Sequence, residues 1–182
     1  MKHLSFVPQF FCVAIFFLLT GYCSLINLQA QVEEPKDAAP PPLKILSKDE
    51  KKALDSETSL KKRTQLSLDL MELRLKTAED YAAQSKYQES INELGGFQAL
   101  LESAMNFLEK NEFGTSKSDF NFKRLEIGLR RTVSRLELVR RELPFKYGFY
   151  VQKLQKFVRD ARAKAVEPLF GDSVIPDRKA NK

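Results

Sequence analysis

The chain has 182 residues, with 30 Lys and Arg against 24 Asp and Glu, no Trp, one His and two Cys. The His is His3 and the cysteines are Cys12 and Cys23, so a chain that loses its N-terminus keeps neither residue type. For such a chain this excludes a disulfide framework, a Cys/His zinc site and acid–base or triad chemistry through histidine.

Residues 1–30 read as a secretory signal peptide. Lys2 and His3 give a positive start, residues 10–19 are a dense apolar run, and Leu28-Gln29-Ala30 suits signal peptidase, so cleavage is expected after Ala30. Two rivals stand beside this. An uncleaved anchor would use residues 4–28, although Pro8, Gln9, Thr20, Gly21 and Asn27 dilute it. A lipoprotein cut before Cys23 would need a small residue where Tyr22 stands. Export to the periplasm, cell envelope or extracellular space is the expectation, and it makes nucleic acid an unexpected partner.

Residues 31–46 contain Glu33, Glu34, Asp37 and the run Pro40-Pro41-Pro42, and are expected to form an extended, Pro-rich linker or loose tail. A helical domain follows over residues 47–167. Ser47 and Glu50 form a capping box that starts the first helix, which runs to about Gln84 with a restart near residues 56–59. Leu68, Met71, Leu75, Ala78 and Ala82 make one apolar stripe, and Leu66, Leu70, Leu73 and Tyr81 a roughly opposite one. A helix that is apolar on two sides needs two partners. Either a neighbour in the same bundle covers the second stripe, or another protein or a second copy does.

After a short break at Ser85-Lys86, a second helix over residues 87–110 carries Ile91, Leu94, Phe97, Leu101, Ala104, Met105 and Leu108 on one side, with Gly95-Gly96 inside it. Residues 111–118 read as a loop. The third helix, residues 119–143, sets Phe122, Leu125, Leu129, Leu136, Val139 and Leu143 against Lys123, Arg124, Arg130, Arg131, Arg135 and Arg141. Pro144 ends it. The fourth, residues 145–166, buries a stripe of Tyr147, Tyr150, Val151, Leu154, Phe157, Val158, Ala161 and Ala165. Phe149 projects about 140° from the middle of that stripe, and Lys153, Lys156 and Arg159 line the wet side. Residues 168–182 are expected to be a flexible C-terminal tail. The predicted fold is all-α: an antiparallel bundle of about four long helices, or stacked helical hairpins.

Residues Ala78, Tyr81, Ser85, Tyr87, Ser90, Ile91 and Leu94 resemble the helix–turn–helix of a tetratricopeptide repeat. Ser85 and Ser90 stand where glycine and alanine are commoner, the closing proline is absent, and no second copy follows 34 residues on. Convergent hairpin packing accounts for the likeness. A degenerate relative would imply a peptide-binding module rather than an enzyme.

Charge is laid out unevenly. Residues 47–112 hold 10 basic and 13 acidic side chains, and residues 119–165 hold 13 basic and 5 acidic ones. Pairing between the halves is one reading; an anionic partner for the basic half is the other. The carboxylates Asp69, Glu72, Glu79 and Asp80 look like members of surface ion pairs. No catalytic, cofactor or metal-ligand motif stands out. The expectation is a non-enzymatic, exported helical protein that binds another protein or itself through Leu66, Leu70 and Leu73. The alternative is a peripheral binder of an anionic membrane or polymer through Arg130, Arg131, Phe149, Lys153, Lys156 and Arg159.

Overall fold

The computed structural model describes residues 35–111 and 116–167. The signal-peptide expectation (residues 1–30) and the C-terminal tail (168–182) lie outside the described residues. Among the described residues six helices follow one another: α1 Lys48–Ser56, α2 Leu60–Ala83, α3 Tyr87–Lys110, α4 Ser116–Leu129, α5 Thr132–Glu142 and α6 Phe145–Val166. Among the described residues there is no strand.

The chain starts α1 where the capping box predicts. The Glu50 amide donates to Ser47 Oγ (3.1 Å) and the Ser47 amide to Glu50 Oε2 (2.7 Å). Glu57 ends this helix in extended backbone, and Ser59 caps the next one, so the restart near residues 56–59 is a real break. α2 and α3 form an antiparallel hairpin whose small residues allow close approach. Ala78 and Ser90 are fully buried, and Ser90 Oγ donates to the Ala78 carbonyl at 2.8 Å.

The hairpin turn closes with a Schellman motif. The Lys86 amide bonds the Tyr81 carbonyl and the Ser85 amide bonds the Ala82 carbonyl, both at 2.9 Å. Ser85 carries the left-handed φ of 61° that this motif requires.

The third predicted helix is two helices, α4 and α5, separated by a tight turn at Arg130-Arg131. The Arg130 amide reaches back three residues to the Ile127 carbonyl (3.3 Å), a 3₁₀-type bond. Gly128 weakens the helix just before the turn, and its bare Cα accommodates the Leu68 side chain of α2. The break does not lose phase. Leu125, Leu129, Thr132, Leu136 and Val139 are all buried at four- and three-residue spacing across it. Pro144 separates α5 from α6 as predicted, with Leu143 in extended backbone.

Residues 35–46 correct the expectation of a loose linker. They lie along α3 and α6 as a strap. The Ala39 amide donates to the Lys146 carbonyl (3.1 Å), the Tyr150 hydroxyl donates to the Ala39 carbonyl (2.7 Å), and Ala39 is buried. A proline run can cross a helix surface because it brings no N–H that would need a partner. Gly95 of α3 lets the strap come close: a Cβ there would overlap the Leu43 carbonyl oxygen.

Candidate interaction surface

The two-sided apolar character of α2 is resolved inside the chain. Met71, Leu75, Ala78 and Ala82 belong to the buried core, with Leu68 packed against it. On the other side Leu66 and Leu70 are partly buried against the same core cluster, which Leu54 of α1 joins. Arg74 fastens this corner. Its guanidinium takes both carboxylate oxygens of Glu50 on α1 (2.8 and 2.7 Å) and Glu93 on α3 (2.7 Å). Of the three leucines assigned to a partner-binding face, only Leu73 stands open, at 60% exposure.

The two charged halves meet through specific pairs. Arg135 of α5 holds Glu79 (2.7 Å) and Glu72 (2.6 Å) of α2, and Lys164 of α6 holds Glu109 of α3 (2.7 Å). Within the basic half, buried Glu126 is shared by Arg130 (2.9 Å) and Arg162 (2.8 Å). Hydrogen bonding from Arg130 is the chief reason its carboxyl sits below the usual range; burial opposes this and Arg162 reinforces it. Glu137 is drawn down to about 2 by hydrogen bonds from Arg140, Gln155 and Arg141.

The outward surface of α4 and α5 is rich in cations, of which Arg130 and Arg141 are engaged with Glu126 and Glu137, and has apolar side chains set into it. Phe120, Ile127 and Leu138 are 70%, 48% and 58% exposed on α4 and α5. Ile127 and Leu138 follow Phe120 by about two and five helical turns, so the three stand in one line opposite the buried stripe. Lys123, Arg130, Arg131 and Arg141 are exposed beside that line, against one exposed carboxylate from Phe120 to Glu142, Glu142 itself. At the Phe120 end lies a cavity of about 530 Å³, lined by Lys61, Arg124, Asn111 and Asn121 among others.

The site residues proposed from sequence separate accordingly. Arg130 and Arg131 lie on this face. Lys153, Lys156 and Arg159 are exposed on α6. Phe149, expected to project outward, is only 4% exposed, which corrects its place as an open surface residue. The Lys153 ammonium stands 4.2 Å from its ring centroid, the Tyr150 ring packs edge-on at 5.4 Å, and the strap bonds α6 on either side of it, at Lys146 and Tyr150. Sequence reasoning missed Phe120, Ile127 and Leu138. The cations around them were assigned to the wet side of the helix, and apolar residues spaced seven and eighteen apart within that side carried the signal.

Among the described residues no three His, Cys, Asp or Glu side chains are grouped so as to hold a metal ion, and no helix is long and apolar enough to cross a membrane. Compared with protein-family models, with curated proteins and with solved structures, the chain gives no match.

Proposed function

We propose that this is an exported, non-enzymatic protein that binds anionic, lipid-bearing surfaces peripherally through the outward face of α4 and α5. The observation that carries the reading is the line Phe120–Ile127–Leu138, exposed and bordered by Lys123, Arg130, Arg131 and Arg141. The face that the sequence offered to a protein partner keeps only Leu73 open, so the balance moves to the basic half.

A helix face with cations beside large apolar side chains suits the boundary between headgroups and acyl chains. Each cation close to an anionic membrane contributes about 1 kcal/mol. A large apolar side chain fully removed from water contributes about 1.5–3 kcal/mol, and partial insertion gives a fraction of that. The two contributions are then comparable, and binding should weaken with salt without vanishing.

Flotation of the chain from Gln31 onward, with neutral and with anionic vesicles at low and high salt, tests this. That chain holds the whole compact unit of residues 34–182. Binding to anionic vesicles that falls with salt and is lost in Phe120→Ser/Leu138→Ser supports the reading. Equal recovery with neutral and anionic vesicles, or none with either, removes it.

A further inference from the structure

The position of Phe149 carries a second inference. Its helical phase puts it nearly opposite the buried residues Tyr147, Val151, Leu154 and Val158, on the side of α6 that would ordinarily face water. Yet its ring is buried, and it lies outside the core cluster. Among the described residues, the strap is the segment bonded to α6 on either side of it. It is fastened at Ala39 by two hydrogen bonds, to the Lys146 carbonyl and from the Tyr150 hydroxyl.

This fastening is light. Ala39 is the one buried residue of the described strap, Leu43 and Ile45 are mostly exposed, and cavities of about 340 and 490 Å³ flank it, each lined in part by Lys44. Beneath and beside it the α6 surface has a definite character. Phe145 is exposed, Phe149 follows one turn on, and Lys146, Lys153 and Lys156 surround them as exposed cations.

We propose that residues 35–46 form a displaceable strap that hides a second lipid-binding surface, made of Phe145, Phe149, Lys146, Lys153 and Lys156. The nature of the surface bound rests on the reading above; the residues are different ones. With the strap seated, Phe149 is covered and α6 presents Phe145 and its lysines. With the strap released, Phe145 and Phe149 form an adjacent aromatic pair within a ring of cations. That is the same pairing of apolar and positive groups as on α4–α5, and it would insert at an anionic interface.

The test displaces the strap without shortening it. Gly95→Ala places a Cβ against the Leu43 carbonyl, a backbone atom that cannot rotate aside, while alanine favours the α3 helix itself. In the chain from Gln31 onward, this variant should retain its helical circular dichroism and lose hydrogen-exchange protection at the Ala39 amide. It should bind anionic vesicles roughly tenfold more tightly, the size expected for exposing about one aromatic side chain to insertion. Phe149→Ala should remove that gain in the Gly95→Ala background and change little where the strap is seated.

Tyr150→Phe, which deletes one fastening bond and no bulk, should move both readouts in the same direction by less. The proposal is overturned if the Ala39 amide stays protected in both variants, if the strap is freed and vesicle binding does not rise, or if the gain survives Phe149→Ala. These outcomes are read as differences between variants. Failure of the α4–α5 reading shows separately, as baseline binding insensitive to Phe120→Ser/Leu138→Ser.

Discussion

The α1–α3 region and the α4–α6 region are built from the same kind of amphipathic helix, yet they finish their surfaces differently. In the first, apolar residues left over after core packing are largely covered: α1 lies on α2, Leu66 and Leu70 are partly buried, and the Arg74 guanidinium lies over Gly96 while it holds Glu50 and Glu93. In the second, Phe120, Ile127, Leu138 and Phe145 stay in the open among arginines and lysines. Scattered exposed apolar residues are ordinary on proteins. A line of them bordered mainly by cations is the feature that separates the two regions, and it supports placing stability chiefly in one and recognition in the other.

The sharpest way to break that comparison is to exchange the expected consequences. Leu101→Ala in α3 removes a fully buried side chain and should cost about 2–5 kcal/mol of folding stability. Leu138→Ser on α5 should stay within about 0.5 kcal/mol in stability, because the side chain is already mostly in water. Urea denaturation of the two variants checks this. A large loss of stability in Leu138→Ser would mean that the outward line is structural.

Next in size is the corner clamp. Arg74→Ala leaves Glu50 and Glu93 without their shared cation in a partly covered setting. It should cost about 2 kcal/mol, less than a fully buried pair would because solvent reaches all three groups. Lys at the same position restores charge but not the two-pronged hold on Glu50, so it should recover only part of the loss in the same denaturation assay.

The outward line then gives a functional effect with little structural one. Phe120→Ser and Leu138→Ser together should weaken binding to anionic vesicles by about tenfold, corresponding to about 1.4 kcal/mol of lost insertion. Arg131→Glu should act mainly at low salt, where Coulomb attraction reaches farthest. Equal losses for both changes at every salt concentration would argue that the two kinds of side chain do not play distinct parts.

A smaller effect distinguishes the regions by pH. Glu126 joins α4 to α6 through Arg162, and its carboxyl is held below the ordinary value of 4.5. A lowered carboxyl contributes stability that is present above the unfolded-state pKa and lost as pH falls through the folded one. Glu126→Gln should therefore be less stable than the parent at pH 7, and its stability should fall less steeply below about pH 4.5, the ordinary value itself. Equilibrium unfolding at a series of pH values measures both. An unchanged acid limb would mean that the pairing is not coupled to folding.

Much of the helical order was legible because burial repeats with the helix. The spacing of Leu125, Leu129, Leu136 and Val139 places them in the core, Ser47 with Glu50 marks a start, and Pro144 marks a stop. The break at Arg130-Arg131 was not legible, because the buried spacing runs through it unchanged and a local 3₁₀ turn leaves no periodic trace. The strap was missed for the opposite reason. Proline-rich composition announces extended backbone but is silent on whether another element receives it, and the receiving features, Gly95 and Tyr150, lie far away in sequence. Nor does helical phase alone give the burial of Phe149, which sits between two α6 positions, Lys146 and Tyr150, that bond to Ala39 more than a hundred residues earlier. The outward line does have a periodic trace, because Phe120, Ile127 and Leu138 share one helical phase among the cations.

The least forceful prediction bears on the hairpin that resembles a tetratricopeptide repeat. Ser85 holds φ at 61°, a conformation that costs an L-residue about 1–2 kcal/mol and glycine nothing, although glycine loses more freedom on folding. The difference leaves a gain of about 0.5–1 kcal/mol for Ser85→Gly, equivalent to about 2–4 °C in Tm at the upper end for a domain of this size. Ser85→Ala keeps the Cβ and should give no such gain. If the two substitutions behave alike, the Schellman turn is not what limits the α2–α3 hairpin. If glycine alone stabilises, the more completely closed region was left short of its optimum at one residue.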